Sequence, residues 1–172
     1  NANLQTLTLT NSDWAANETS QSVSIEFLIN RGGTTDSAAG RILAGKDSDY
    51  DDTANVDSFL SFHTALNDGN TEKMRITSDG RVGIGIAAPG FQLDLQNGGG
   101  DGIRVAGYST GAGNDARLYL ARSNNGTLGT QTAVDNSDAL GKVIFQGSNG
   151  SAFVTGASVT AVARETWSGT QY

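Results

Sequence analysis

The chain has 172 residues, a formal net charge of −7, one histidine and no cysteine. These values exclude a duplex nucleic-acid binder, which needs a basic stripe to displace counterions from phosphates, and they exclude disulfides, thiolate metal sites and multi-histidine zinc sites. Asn, Gly, Ser and Thr dominate, while Leu, Ile, Val and Phe make up roughly a fifth of the chain, a level at which one chain has difficulty burying a core.

In chain order, the elements are short strands. Leu7 and Leu9 alternate with polar neighbours, and Asp13 to Ala16 has room for at most a single helical turn. Val23, Ile25, Phe27 and Ile29 then alternate with Ser24, Glu26 and Leu28; Leu60 and Phe62 alternate with Ser61 and His63; Met74 and Ile76 alternate with Arg75 and Thr77. Further alternations occur at Leu93/Leu95, Ile103/Val105, Leu118/Leu120, Val143/Phe145 and Val159/Ala161. Period two marks half-buried strands. Between them lie Arg31-Gly32-Gly33, Asn67-Asp68-Gly69, Ser78-Asp79-Gly80, Asn124-Asn125-Gly126 and Ser148-Asn149-Gly150, which supply the positive φ angles of tight turns. A disordered chain would be rich in Pro, Glu and Lys and would lack this periodicity, whereas here there is one Pro. The pattern predicts an all-β protein of short strands that completes its core with other chains.

Gly98 to Gly102 reads as a linker. It divides a first β module, residues 1–97, from a second, residues 103–172, that is incomplete at its C-terminus. An internal repeat carries this division: Phe27 followed by Ala39-Gly40-Arg41-Ile42-Leu43-Ala44 matches Phe145 followed by Gly156-Ala157-Ser158-Val159-Thr160-Ala161. No apolar run of about 18 residues predicts membrane insertion. No signal peptide precedes Asn1, and the absence of an initiator Met predicts a processed product or a piece of something longer.

The stretch Gly83-x-Gly85-x-x-Ala88 matches the loose dinucleotide fingerprint. The fingerprint works only where the glycines open a helix, and here Pro89-Gly90 and the Leu93-Asp94-Leu95 alternation follow at once, so no cofactor is expected. Val82, Ile84 and Ile86 are read instead as one face of a strand whose other face, at Gly83 and Gly85, is bare. A bare face admits close approach of a neighbouring chain, so these five residues are the predicted packing positions.

The block E-K-M-R-I-T-S-D-G-R-V-G-I-G, Glu72 to Gly85, with Pro89 and Leu93-Asp94-Leu95 after it, resembles the recurrent block of bacteriophage tail fibres and tailspikes. A second stretch, A-R-L-Y-L-A-R-S-N-N-G-T-L-G-T-Q-T-A-V from Ala116 to Val134 and D-A-L-G-K-V-I-F-Q-G-S-N-G-S-A-F from Asp138 to Phe153, is similar to tail-fibre shaft modules. The resemblance implies an elongated, intertwined homotrimer of the triple β-helix or β-prism type. It also implies a virion location outside the cell, other fibre proteins as neighbours, and a bacterial surface glycan or protein as receptor. Such blocks often precede an endosialidase-type intramolecular chaperone, which is not found in this sequence. Ile86-Ala87-Ala88 also departs from the small hydroxyl residues usual after V-G-I-G.

Candidate chemistry is sparse. Asp47, Asp49 and Asp51 alternate as calcium ligands can, but Asp52 and Ser58 stand where an EF-hand loop needs Gly and Glu, so a solvated acidic loop is the expectation. His63 is placed on a polar strand face, as an ordinary surface histidine, with a Ser-His-Asp triad as the remote alternative. Trp14, Tyr50, Tyr108 and Trp167, in loop-like surroundings, are the candidate sugar platforms. The function expected is a non-enzymatic adhesive fibre segment. A polysaccharide-cleaving tailspike and a bacterial cell-surface fibre of the same modules stand as alternatives.

Overall fold

Eight strands form in the computed structural model, which describes residues 7–12, 18–30, 32, 36–48, 50, 56–67, 69–99, 102–108 and 116–167. They are β1 (Ser22–Asn30), β2 (Asp36–Lys46), β3 (Ser58–Leu66), β4 (Gly69–Ile76), β5 (Val82–Ile84), β6 (Leu93–Leu95), β7 (Ala139–Ser148) and β8 (Phe153–Val162). The protein is all-β, with no helix among the described residues. Two compact units are present, Asn1–Gly102 and Ile103–Tyr172.

In the first unit, β1 to β6 make one sheet in sequential order. Every neighbouring pair is antiparallel except β5 and β6, which run parallel. Turn chemistry explains the meander. Leu66 pairs with Gly69 across a two-residue loop in which Asn67 takes φ 51°, the left-handed conformation that Asn tolerates and tight hairpins require. Between β4 and β5, the Thr77 backbone N–H donates to the Arg81 carbonyl at 2.9 Å, and the Arg81 N–H donates to Thr77 Oγ1 at 3.0 Å. Asp79 locks that turn with a 3.0 Å ion pair to Arg81 Nε, and its carboxyl is held below the usual carboxylate value chiefly by the hydrogen bond from Thr77.

Among its described residues the second unit has one hairpin, β7 with β8. Asn149 Oδ1 accepts the backbone N–H groups of Ser151 and Ala152, at 2.9 and 2.8 Å, and Gly150 takes φ +95°, so the Ser148-Asn149-Gly150 turn expected from the sequence closes it. At the open end Asp138 Oδ2 accepts from Asn124 Nδ2 at 2.7 Å and from the Asp135 N–H at 2.8 Å, while Oδ1 pairs with Arg122 at 3.1 Å. This carboxylate ties the loop segment around Arg122 to the hairpin base.

Three expected strands do not pair. Residues around Leu7/Leu9, Ile103/Val105 and Leu118/Leu120 lie outside every ladder. Alternation prepares a segment to pair, but a strand forms only where a partner edge meets it. The possible turn at Asp13 to Ala16 lies outside the described residues.

In neither unit do the described residues close a core. Among the described residues the buried apolar side chains are Leu43, Val134 and Ala163, and the one fully buried polar side chain is Ser61. Among the described residues each unit holds a single sheet, so within a unit burial comes mainly from neighbouring side chains lying over one another.

Candidate functional site

The registers assign each side chain of the sheet to a face, because directly paired residues point the same way. Ile25, Ile42, Phe62, Met74, Ile84 and Leu95 form one row across all six strands. Val23, Ala44, Leu60, Ile76, Val82 and Leu93 form the next. Phe27 lies on the same face, paired with Gly40. This face is apolar from edge to edge, yet much of it is open: Phe27 is 52% exposed, Leu93 57% and Leu95 44%. A continuous apolar face of this kind marks an interaction surface, whereas scattered exposed apolar residues would not.

The opposite face carries Arg41, Ser61, His63, Glu72 and Arg75 as cross-strand neighbours. Arg75 holds Glu72 in a two-pronged contact, 2.9 and 2.8 Å, reaches Asp47 at 3.7 Å, and lies 3.7 Å over the Phe59 ring. Ser61 Oγ and His63 Nε2 are 2.9 Å apart. Among the described residues this Ser-His pair does not extend to a triad. Ser61 is fully buried, His63 Nδ1 has no hydrogen-bond partner, and Glu72, which pairs with His63 across the strands, is committed to Arg75. Burial first, and then the Arg41 charge, hold the imidazole below its ordinary value and so favour its neutral form. The expected polar strand face is present, but His63 is half-buried within it and is not an ordinary surface histidine. Sequence alternation could place His63 on this face; only the cross-strand register could bring Arg41, Glu72 and Arg75 to it.

Of the calcium candidates, Asp47 pairs with Arg75, and Asp49 and Asp51 lie outside the described residues. Among the described residues there is no cluster of three or more His, Asp or Glu able to hold a metal ion.

The aromatic candidates fall in both units and are taken one by one. Trp14 lies outside the described residues. Tyr50, at φ 59°, borders an open groove of about 450 Å³ lined also by Asn11, Ser12, Ser22, Lys46 and Ser58. Its hydroxyl is bonded to Ser58, and Lys46 Nζ sits 4.7 Å over its ring. In the second unit Tyr108 is 86% exposed and its hydroxyl accepts from Arg104 at 3.1 Å; Trp167 is 47% exposed and its backbone N–H donates to the Val134 carbonyl.

The glycine pair has a local role that the alternation did not reveal. The strand ends at Ile84, because Gly85 takes φ +76° and turns the chain; Ile86 therefore does not continue the Val82/Ile84 face. A Cβ at Gly83 would be driven into the Ile86 carbonyl oxygen, and one at Gly85 into the Gln96 carbonyl oxygen. The close approach inferred for Gly83 and Gly85 is thus supplied by the chain's own backbone, at the fold between β5 and its parallel neighbour β6. Gly85 N donates to the Lys73 carbonyl at 3.0 Å and Gln96 N to the Ile84 carbonyl at 2.9 Å, which fixes that fold.

Compared with known proteins, the chain matches no family model and no curated protein.

Proposed function

We propose that this chain is a structural and adhesive segment of a homotrimeric, extracellular fibre of the phage tail-fibre type, which holds receptor-binding surface out towards a bacterial host. The observation that carries the reading is the apolar face that runs uninterrupted across six strands and stays open to solvent in the single chain. Three such faces turned to a common axis make a β-prism. Burying the remaining exposed area of Ile25, Phe27, Leu60, Ile84, Leu93 and Leu95 is worth on the order of 1 kcal/mol per side chain. Over three chains that sum, about 18 kcal/mol, lies within the roughly 8–30 kcal/mol that the two association steps of a trimer cost.

The polar face, with its ion pairs and buried hydroxyl, is then the outer surface, and contact with host glycan or protein falls to outward loops such as the one bearing Tyr50. Weak contacts suffice, because several copies on one fibre make later binding events intramolecular. The Glu72 to Gly85 block, which resembles tail-fibre shaft sequence, adds the phage assignment. Light scattering at micromolar concentration is expected to give three times the 17.8 kDa chain mass. A monodisperse monomer at that concentration overturns the reading.

A further inference from the structure

The two units contain hairpins that share a register over most of their length, the second having one further shift at its base, between Ala139 and Gly141. In the first, Phe27 pairs with Gly40, the next pair is Leu28 with Ala38, and Ala39 is the bulged residue between them. In the second, Phe145 pairs with Ala157, the next pair is Gln146 with Thr155, and Gly156 is the bulged residue. The match extends on both sides of the bulge. It runs from Val23 with Ala44, matching Gly141 with Ala161, to Asn30 with Asp36, matching Ser148 with Phe153. The apolar face is matched too: Ile25, Phe27, Ile42 and Ala44 correspond to Val143, Phe145, Val159 and Ala161.

The two hairpins differ in what lies beyond the second strand. In the first unit the far edge of β2 is occupied by β3, with Gly40 on Thr64, Ile42 on Phe62 and Ala44 on Leu60. In the second unit, among the described residues, the far edge of β8 carries no strand and no backbone hydrogen bond outside the hairpin reaches residues 153–162. Proteins protect such edges with charge, Pro, a bulge that twists the edge away or a covering loop. β8 reads F-V-T-G-A-S-V-T-A-V, without a charge or a Pro, and its bulge at Gly156 matches the one at Ala39, immediately after which, from Gly40 on, the β2 edge is paired.

We propose that the outer edge of β8 is an acceptor for an added antiparallel strand with the pattern of β3: an uncharged extended segment of another polypeptide that alternates large apolar residues with Ser or Thr. The register is specified by the first unit. A Phe62-like residue lies on Val159, a Leu60-like residue on Ala161, and a Ser61-like hydroxyl on Thr160. These are an aromatic on a β-branched residue and a hydroxyl on a hydroxyl, the pair types that stabilise sheets. Main-chain hydrogen bonds along the edge supply affinity and the alternate side chains supply selectivity. The inference rests on the shared register and stands whether or not the chain is a fibre.

The test uses the full chain and a synthetic peptide of the Ser58 to Leu66 sequence, with amide hydrogen exchange read by mass spectrometry. The expected result is exchange slowed at least about tenfold at residues 157–162 by the peptide, and not by a peptide of the same composition with the alternation scrambled. Val159→Asp, at a side chain 66% exposed, should abolish the added protection, while Ser158→Asp on the opposite face retains it. Exchange at residues 143–148 reports in each variant that the hairpin itself is folded. No added protection at 157–162 at millimolar peptide, equal protection by the scrambled peptide, or full protection in folded Val159→Asp overturns the proposal. Light scattering on the same samples reads the oligomeric state separately, so loss of the trimer reading is distinguishable from loss of this one.

Discussion

Gly80 and Gly85 form a matched pair for measuring what holds β6 in place. Both sit at nearly the same left-handed conformation, φ +81° and φ +76°, five residues apart in the chain. They differ in what a side chain would meet: nothing lies within 4 Å of a Cβ at Gly80, whereas one at Gly85 runs into the Gln96 carbonyl oxygen. Replacing either by Ala incurs the conformational penalty, about 1–2 kcal/mol. In Gly85→Ala the Gln96 backbone must also move, which breaks the Gln96 N–H bond to the Ile84 carbonyl and weakens that from Gly85 to Lys73. At about 1 kcal/mol for each backbone hydrogen bond, the further loss is about 1–2 kcal/mol. Urea unfolding of both variants at one protein concentration is expected to place Gly80→Ala about 1–2 kcal/mol below the parent and Gly85→Ala about 2–4 kcal/mol below it. Amides of residues 93–96 should lose protection only in Gly85→Ala. Equal destabilisation by the two substitutions would refute the steric account and leave the φ angle as the whole explanation.

Two other outcomes follow from the ion pairs. The Asp138 carboxyl is held below the usual carboxylate value by the Asp135 N–H, then by Asn124 and Arg122, so its folded state is the stronger acid. Its stabilisation is therefore complete above the unfolded value, about 3.9, and is lost as pH falls through the folded value; thermal unfolding between pH 7 and pH 2.5 should show a drop below about pH 4 that is smaller in Asp138→Asn. Arg75→Ala removes the fork on Glu72 and the stacking on Phe59, and should cost about 1–3 kcal/mol in thermal unfolding, with Arg75→Lys restoring only part because an ammonium cannot reproduce the planar fork. Full restoration by Lys would show that charge alone matters there.

Period-two alternation by itself determined the all-β class and the partition of side chains in β1, β3 and β4, since a strand has no other way to sort Val23, Ile25 and Phe27 from their polar neighbours. The hairpin turns at Asn67 and Asn149 were equally legible, because Asn followed closely by Gly states the backbone conformation directly. The match between the Phe27 and Phe145 segments was visible as residues, but the common register and the common bulge at Ala39 and Gly156 are properties of pairing between strands. Pairing also decided which alternating segments became strands: Leu118 and Leu120 met no edge, whereas the three residues of β6 did. The glycines of the Val82 to Ile86 stretch show the same limit. The alternation admits close approach at Gly83 and Gly85 and assigns it to a neighbouring chain; the tertiary fold instead brings the chain's own backbone, at Ile86 and Gln96, back across them.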